Sequence, residues 1–535
     1  MRHSLRAAAV VAAAIAVRIA AATAPVDQQV RYDLLIAGGT VIDGTGRAGS
    51  VNDVAIKDGR IAAIGRVPRS QAAQVVDASK LVVAPGFIDV HTHADDLVNR
   101  PAATNFVRMG VTTIVAGNCG TSALDVGAAL SALRENPAAL NFATLIGHNT
   151  VRAAVMGTDN RLPRAGELAR MKSLVWKAMA DGAIGFSTGL QYVPGTYAQV
   201  PEIMDLARVS ANAGGIYASH MRNEGTQLEQ AVAETIRVGE MTGGRVEISH
   251  LKVDSPSRWG ASEKALAMID AARLKGVDVR ADQYAYTAAS STLGVRFPSW
   301  ALEGGQAKIA ERLNTPATWQ KIKAEMLSML LERGLPDLSF AVVAMYAPDR
   351  SLNGLSMRQV ALKHGGSDSV DAQLESARGM LLEGGASMVY HFMSDDDVDR
   401  IMRHPQVSVA SDASVIAYGD GSPHPRGYGN NARVLGTYVR ARHVLSIEEA
   451  IRKMTSLPAT HFKLSGRGTI RAGYAADLVV FDPTAVIDAA TFEAPHAYAA
   501  GISYVFVNGV AVVKGGAQTD ARPGQVIANS LMEKR

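Results

Sequence analysis

Eight short apolar or β-branched runs, alternating with amphipathic stretches, constrain this chain more than any other feature. In order they are GFIDVHTH, VTTIVAGNCG, NFATLIGH, GAIGFSTGL, GIYASHM, RVEISHLK, DVRADQYAY and VSVASDAS. Between them, segments such as Arg164 to Asp181, Val200 to Ala213, Thr226 to Gly239 and Ala261 to Lys275 repeat apolar residues at helical spacing. Strands of this length alternating with helices pair in parallel, and eight such units predict a closed (β/α)₈ barrel over residues 85–464. In that fold the chemistry gathers where the strands end.

The strand ends carry an unusual set of residues. His91 and His93 finish the first run, Cys119 the second, His220 the fifth, His250 the sixth and Asp412 the eighth. Alternation along a strand sends His91 and His93 to one side together. Imidazole, thiolate and carboxylate are the donors of zinc, and a thiolate among them disfavours magnesium and calcium. Six such residues at five strand ends, in a chain with 13 histidines and one cysteine, suffice for one or two metal positions. A metal there activates water and polarises a carbonyl, while a neighbouring carboxylate such as Asp412 moves the proton. His364, His404, His443, His461 and His496 follow no such rule and read as surface or core residues.

Outside the barrel, DLLIAGGTVIDGTG, VAIKDGRIAAIG and QVVDASKLVVAPG near the start, and ADLVVFDP and SYVFVNGVAVVKGG near the end, are β-rich segments with hairpin turns. Residues 32–84 and 465–530 are therefore expected to pair into one small β-sandwich. About 120 residues separate the seventh strand from the eighth, so an insertion at about 288–400, read as helical, is expected over the barrel mouth as a lid or substrate-shaping element. At the start, Arg2 and Arg6 precede an Ala/Val-rich stretch, Ala7 to Val17, and Ala22-Thr23-Ala24 has the form of a cleavage site. Residues 1–24 thus read as a signal peptide, imperfect at Arg18 and Pro25, giving a periplasmic or secreted protein with no membrane span in the mature chain. A net charge of +4, three units of which lie at Arg2, Arg6 and Arg18, gives no nucleic-acid signature, and a single cysteine excludes an internal disulfide framework.

Together, PGFIDVHTH, ISHLK, the late Ser-Asp and ADLVVFDP resemble the amidohydrolase superfamily. AGNCG, GFSTGLQYVPG, YASHMRNEG, DQYAYTAASST and HPRGYGNNARVLG resemble the N-acyl-D-amino-acid deacylases (D-aminoacylases) within it, a likeness running from residue 32 to about 515. The resemblance implies hydrolysis of the amide of a small-molecule N-acyl-D-amino acid to a carboxylate and a free D-amino acid. It implies one tightly held zinc on Cys119, His220 and His250, a second and weaker position on His91, His93 and Asp412, and Asp412 as proton shuttle. It also implies that Lys252, Tyr284, Ser290 and Arg426 meet the substrate carboxylate. Ala94 in HTHADD, Asn149 in IGHNTVR, and a long Asp412-to-Arg426 loop with Ala413 in place of glycine depart from the family pattern at the mouth. Two rivals stand beside this reading: an exported hydrolase of D-configured dipeptides or cyclic amides, and a non-catalytic binding protein on the same barrel.

Overall fold

The computed structural model describes residues 30–529; the expected signal peptide lies outside them. The eight runs form the barrel strands β1 (Phe87–Asp89), β2 (Val111–Ala116), β3 (Asn141–Thr144), β4 (Gly185–Gly189), β5 (Ile216–His220), β6 (Arg245–Ile248), β7 (Val279–Gln283) and β8 (Val407–Val409). Neighbours pair in parallel, as Ile114 with Phe142, Ser187 with Ala218, Ala218 with Glu247, and Asp282 with Ser408 show, and β4 takes its partners from Ile146 and Gly147 just past β3. Closure comes just past the strand ends. Ala413 and Ser414 pair with Thr92 and His93, and Asp412 N–H donates to His91 O at 2.9 Å.

Alternation sorts the strand residues into two cores. Ile88, Val115, Ala143, Ile216 and Ala218 form one cluster, which Phe462 and Leu464 join. Phe87, Ile114, Phe142, Phe186 and Val246 belong to the large cluster shared with the surrounding helices. The helix Leu228–Thr242 illustrates why: Leu228, Ala231, Val232, Thr235, Ile236 and Gly239 are buried at helical spacing, and the helix stops at Gly243 in the left-handed conformation.

The two terminal β segments do come together, but as one continuous nine-stranded sheet rather than two separately bonded layers. The joint is Val82–Pro85 against Leu478–Phe481, antiparallel, with Val83 opposite Val480. Ile36, Val54 and Ile56 from one wing share an apolar cluster with Leu478, Val480 and Phe506 from the other. The tail leaves this sheet: Phe142 N–H donates to Gln525 O at 2.9 Å and Ile527 N–H to Phe142 O at 2.8 Å, so residues 524–529 belong with the barrel.

The insertion is not wholly helical. Five helices, Gln306–Asn314, Pro316–Glu332, Met357–Gly365, Val370–Leu382 and Asp395–Arg403, accompany a three-stranded antiparallel sheet of Ala288–Thr292, Ser387–His391 and Ala341–Met345. The sequence hid the first strand because AASST is small and polar rather than alternating. Among the described residues no helix is long and apolar enough to cross a membrane.

Candidate metal centre and its cavity

All six expected ligands meet at the C-terminal end of the barrel. Cys119 Sγ lies 3.6 Å from His220 Nδ1 and 3.5 Å from His250 Nε2, and those two nitrogens are 2.8 Å apart. Zinc bonds of about 2.3 Å to sulfur and about 2.05 Å to nitrogen, at the tetrahedral angle, set donors about 3.6 Å apart for sulfur to nitrogen and about 3.3 Å for nitrogen to nitrogen. Both sulfur edges match and the histidine edge is slightly closed, so this corner fits a zinc ion. Beside it, Asp412 Oδ1 is 3.1 Å from His93 Nε2 and 3.6 Å from His91 Nε2, and His91 Nε2 is 3.3 Å from Cys119 Sγ. His91, His93 and Asp412 offer a second position adjacent to the first.

The backbone bends to make this convergence. Cys119, His250 and Asp412, each two or three residues past a strand end, have φ of 51°, 36° and 53°, in the left-handed region that non-glycine residues avoid. Such conformations cost on the order of 1–3 kcal/mol each and persist where the surroundings enforce them. Burial alone would raise the Cys119 thiol, but His91 and His250 hold it well below its ordinary value, which favours the thiolate. For Asp412 burial likewise pushes upward, and Arg426, His250 and His93 reverse it, keeping the carboxylate ionised.

Several residues that sequence reasoning missed aim the ligands. His250 Nδ1 is 2.9 Å from Glu224 Oε1, His220 Nε2 is 2.9 Å from Gln191 Oε1, and His91 Nδ1 is 3.3 Å from Asp282 Oδ1. Each contact occupies the ring nitrogen facing away from the centre and leaves the other free to coordinate. Asp282 also accepts from His250 N–H at 2.8 Å. Tyr192 OH stands 3.4 Å from His220 Nδ1. Glu224 was visible in YASHMRNEG, but its partner His250 comes from another strand.

The four expected carboxylate contacts divide. Ser290 and Arg426 line the cavity over the centre. Arg426 Nη2 donates to Asp412 Oδ2 at 2.9 Å, whereas its buried Nη1 has no partner. Lys252 does not face the cavity: its ammonium, 3% exposed, donates to Glu224 Oε1 at 2.7 Å and lies 2.7 Å from His250 Nδ1. Its work is to neutralise Glu224 behind His250. Tyr284 is buried as well, its ring 4.5 Å beneath the Arg426 guanidinium and its hydroxyl 3.7 Å from the Met393 sulfur. In this structure both therefore pack against residues of the site, Lys252 against Glu224 and His250 and Tyr284 beneath Arg426. His424, unremarked in the sequence, seats Arg426: its Nδ1 accepts from Arg426 N–H at 3.0 Å, and its Nε2 bonds Ala288 O at 2.9 Å.

A family model described as Amidohydrolase family matches residues 74–513. The chain is 39% identical to a D-aminoacylase of Alcaligenes xylosoxydans xylosoxydans over 524 residues, covering 93% of this chain and 98% of that one. It is 37% identical to an N-acyl-D-glutamate deacylase of the same organism, covering 93% and 97%. Among solved structures, an N-acyl-D-glutamate deacylase of Bordetella bronchiseptica, complexed with zinc and a phosphonate mimic of the tetrahedral intermediate, superposes with a TM-score of 0.80 at 36% identity over 93% of this chain and all of that one. With its closed barrel, its second β domain and its cysteine-containing metal centre, the chain belongs to the amidohydrolase family, in the branch of the D-aminoacylases and N-acyl-D-amino-acid deacylases.

Proposed function

We propose that this protein is a zinc-dependent deacylase of N-acyl-D-amino acids whose side chains are neutral. The observation that carries this reading is the juxtaposition of the Cys119–His220–His250 corner with Asp412 and Arg426, with Cys119, Asp412 and Arg426 lining one cavity and one guanidinium nitrogen of Arg426 without a partner. Zinc held by Cys119, His220 and His250 supplies polarisation of the amide carbonyl and acidifies water. Asp412, ionised and fixed by Arg426 at one oxygen and by His93 at the other, accepts the proton of the attacking water and returns it to the departing nitrogen. The substrate α-carboxylate satisfies Arg426 Nη1. With the carboxylate and the amide both fixed, only one configuration at Cα places the side chain in the remaining space, which is the origin of D selectivity.

The charge on the wall argues for neutral side chains. Among the lining residues Arg426 is the only arginine or lysine, and half of its fork is committed to Asp412. His424 is neutral, because burial and then Arg426 push its pKa well down, and both its nitrogens are bonded. No other lining cation is left to receive a side-chain carboxylate. A cyclic amide without a free carboxylate would leave Arg426 Nη1 orphaned, which disfavours that rival. The test is amine release by the zinc-loaded protein from matched N-acetyl-D and N-acetyl-L leucine, methionine, glutamate and lysine. Release from D-leucine and D-methionine, with little from D-glutamate and none from L substrates, is expected. Equal release from both enantiomers removes the deacylase reading, and preference for D-glutamate removes the side-chain assignment. The export reading rests on residues 1–24 alone and is tested by the N-terminal mass of the mature protein.

A further inference from the structure

The cavity is larger than an N-acetyl amino acid requires. It measures about 1050 Å³, whereas N-acetyl-D-leucine has only about a dozen non-hydrogen atoms. The excess has a definite location and character. Ser291 Oγ donates to Tyr192 OH at 3.2 Å, and Tyr192 OH is 3.4 Å from His220 Nδ1, so the strand Ala288–Thr292 is linked near its end to the metal centre. Past Thr292 the wall becomes apolar: Gly294, Val295, Phe297, Leu302, Ile309 and Leu381 line it, and all come from the insertion. Gln306 Nε2 donates to Leu381 O and Leu382 O, both at 3.1 Å, tying the helix Gln306–Asn314 to the end of Val370–Leu382. That tie makes the annex a built compartment. Its polar lining, Thr292, Ser299 and Gln306, is uncharged; the charged lining groups sit at the metal centre, or at Asp420, which pairs with Arg350 at 3.0 Å.

An annex of this kind takes a long apolar substituent. Apolar amino-acid side chains are bounded in length. Acyl chains have no such bound. Resting on the deacylase reading above, we propose that the annex binds the acyl group, and that the preferred substrates are D-amino acids carrying unbranched acyl chains of medium length. The reaction is the same hydrolysis: the amide C–N bond breaks, water supplies the new C–O bond, and its proton reaches nitrogen through Asp412, giving a fatty carboxylate and a D-amino acid.

The experiment is kcat/KM of the zinc-loaded protein for N-acetyl-, N-hexanoyl- and N-decanoyl-D-leucine, alongside Gly294→Phe. A methylene moved fully out of water is worth up to about fourfold, so an increase of at least about 100-fold from acetyl to decanoyl is expected. A Cβ on Gly294 would meet only Leu302 Cδ1 and Thr292 Oγ1, each at 3.7 Å, so the phenyl ring grows into the annex without displacing backbone. In Gly294→Phe the decanoyl-to-acetyl ratio is expected to fall below about tenfold; Ile309→Gln, which makes the far wall polar, is expected to lower it in the same direction. An acetyl substrate that is cleaved while kcat/KM stays flat or falls with chain length overturns the annex assignment, as does a wild-type ratio in both variants. Silence on every chain length, with zinc measured in the protein, overturns the deacylase reading itself.

Discussion

Arg426→Lys separates the two tasks that one guanidinium performs. In the wild type, Nη2 holds Asp412 Oδ2 at 2.9 Å, while Nη1 is buried and unpartnered. A lysine keeps one positive charge and can keep the Asp412 contact, but it has no second arm held in a rigid plane. The lost interaction is a hydrogen bond between charged groups, worth about 1.5–3 kcal/mol, which converts to about 10- to 150-fold in kcat/KM. The loss should fall mainly on KM, because Asp412 remains ionised and positioned. The assay pairs N-acetyl-D-leucine with its C-terminal amide, N-acetyl-D-leucinamide, in wild type and variant. Wild type should prefer the free acid by the factor just given, and Arg426→Lys should lose most of that preference while cleaving the leucinamide at close to the wild-type rate. If the variant keeps the full preference for the free acid, Arg426 does not read the α-carboxylate, and the argument from its orphaned Nη1 fails.

Asp412→Asn should leave zinc bound at Cys119, His220 and His250 but lower kcat by about 100- to 10,000-fold, the usual worth of a positioned proton acceptor; metal analysis with steady-state kinetics reads both numbers. Cys119→Ala should lose the tightly held zinc, and in the metal-free state Cys119→Gly should be more stable than Cys119→Ala by about 1 kcal/mol in denaturant titrations, because only glycine occupies φ of 51° without strain; the reverse order would mean the bend is not strained. Glu202→Gln tests a buried cluster behind the Gln191–Tyr192 loop, where Glu202 meets His148 Nε2 at 2.9 Å and Arg152 Nη1 at 2.5 Å. Burial works to raise the Glu202 pKa, but His148 and Arg152 outweigh it and hold it below its ordinary 4.5, so its contribution is present above about pH 4.5 and is lost as pH falls through the lower folded value. The wild-type advantage over Glu202→Gln, about 3 kcal/mol at pH 7, should therefore shrink steadily below pH 4.5 in urea titrations, and a pH-independent difference would refute the assignment.

What could be read from the sequence, and what could not, divides along physical lines. All eight barrel strands were legible because parallel strands buried on both faces leave short continuous apolar runs, and the six candidate ligands were legible because histidine and cysteine are scarce and stood at the ends of those runs. Glu224, Gln191 and Asp282 escaped notice because their significance is a contact with a ligand from another strand, which no local pattern records. For Lys252 and Tyr284 the sequence is silent on packing for a related reason: motif membership places a residue near a site, but only the fold sets Lys252 against His250 and Tyr284 beneath Arg426. The insertion was the least legible part, its small polar strand Ala288–Thr292 unrecognised, and it supplies most of the apolar wall. This asymmetry follows from the chemistry. A metal centre accepts only a few donor types at fixed separations, so its residues are recognisable one at a time, whereas an apolar compartment can be lined by many combinations of Val, Phe, Leu and Ile and exists only once they are assembled. The reaction is thus written in individual residues, and the choice of acyl group in a surface that folding alone creates.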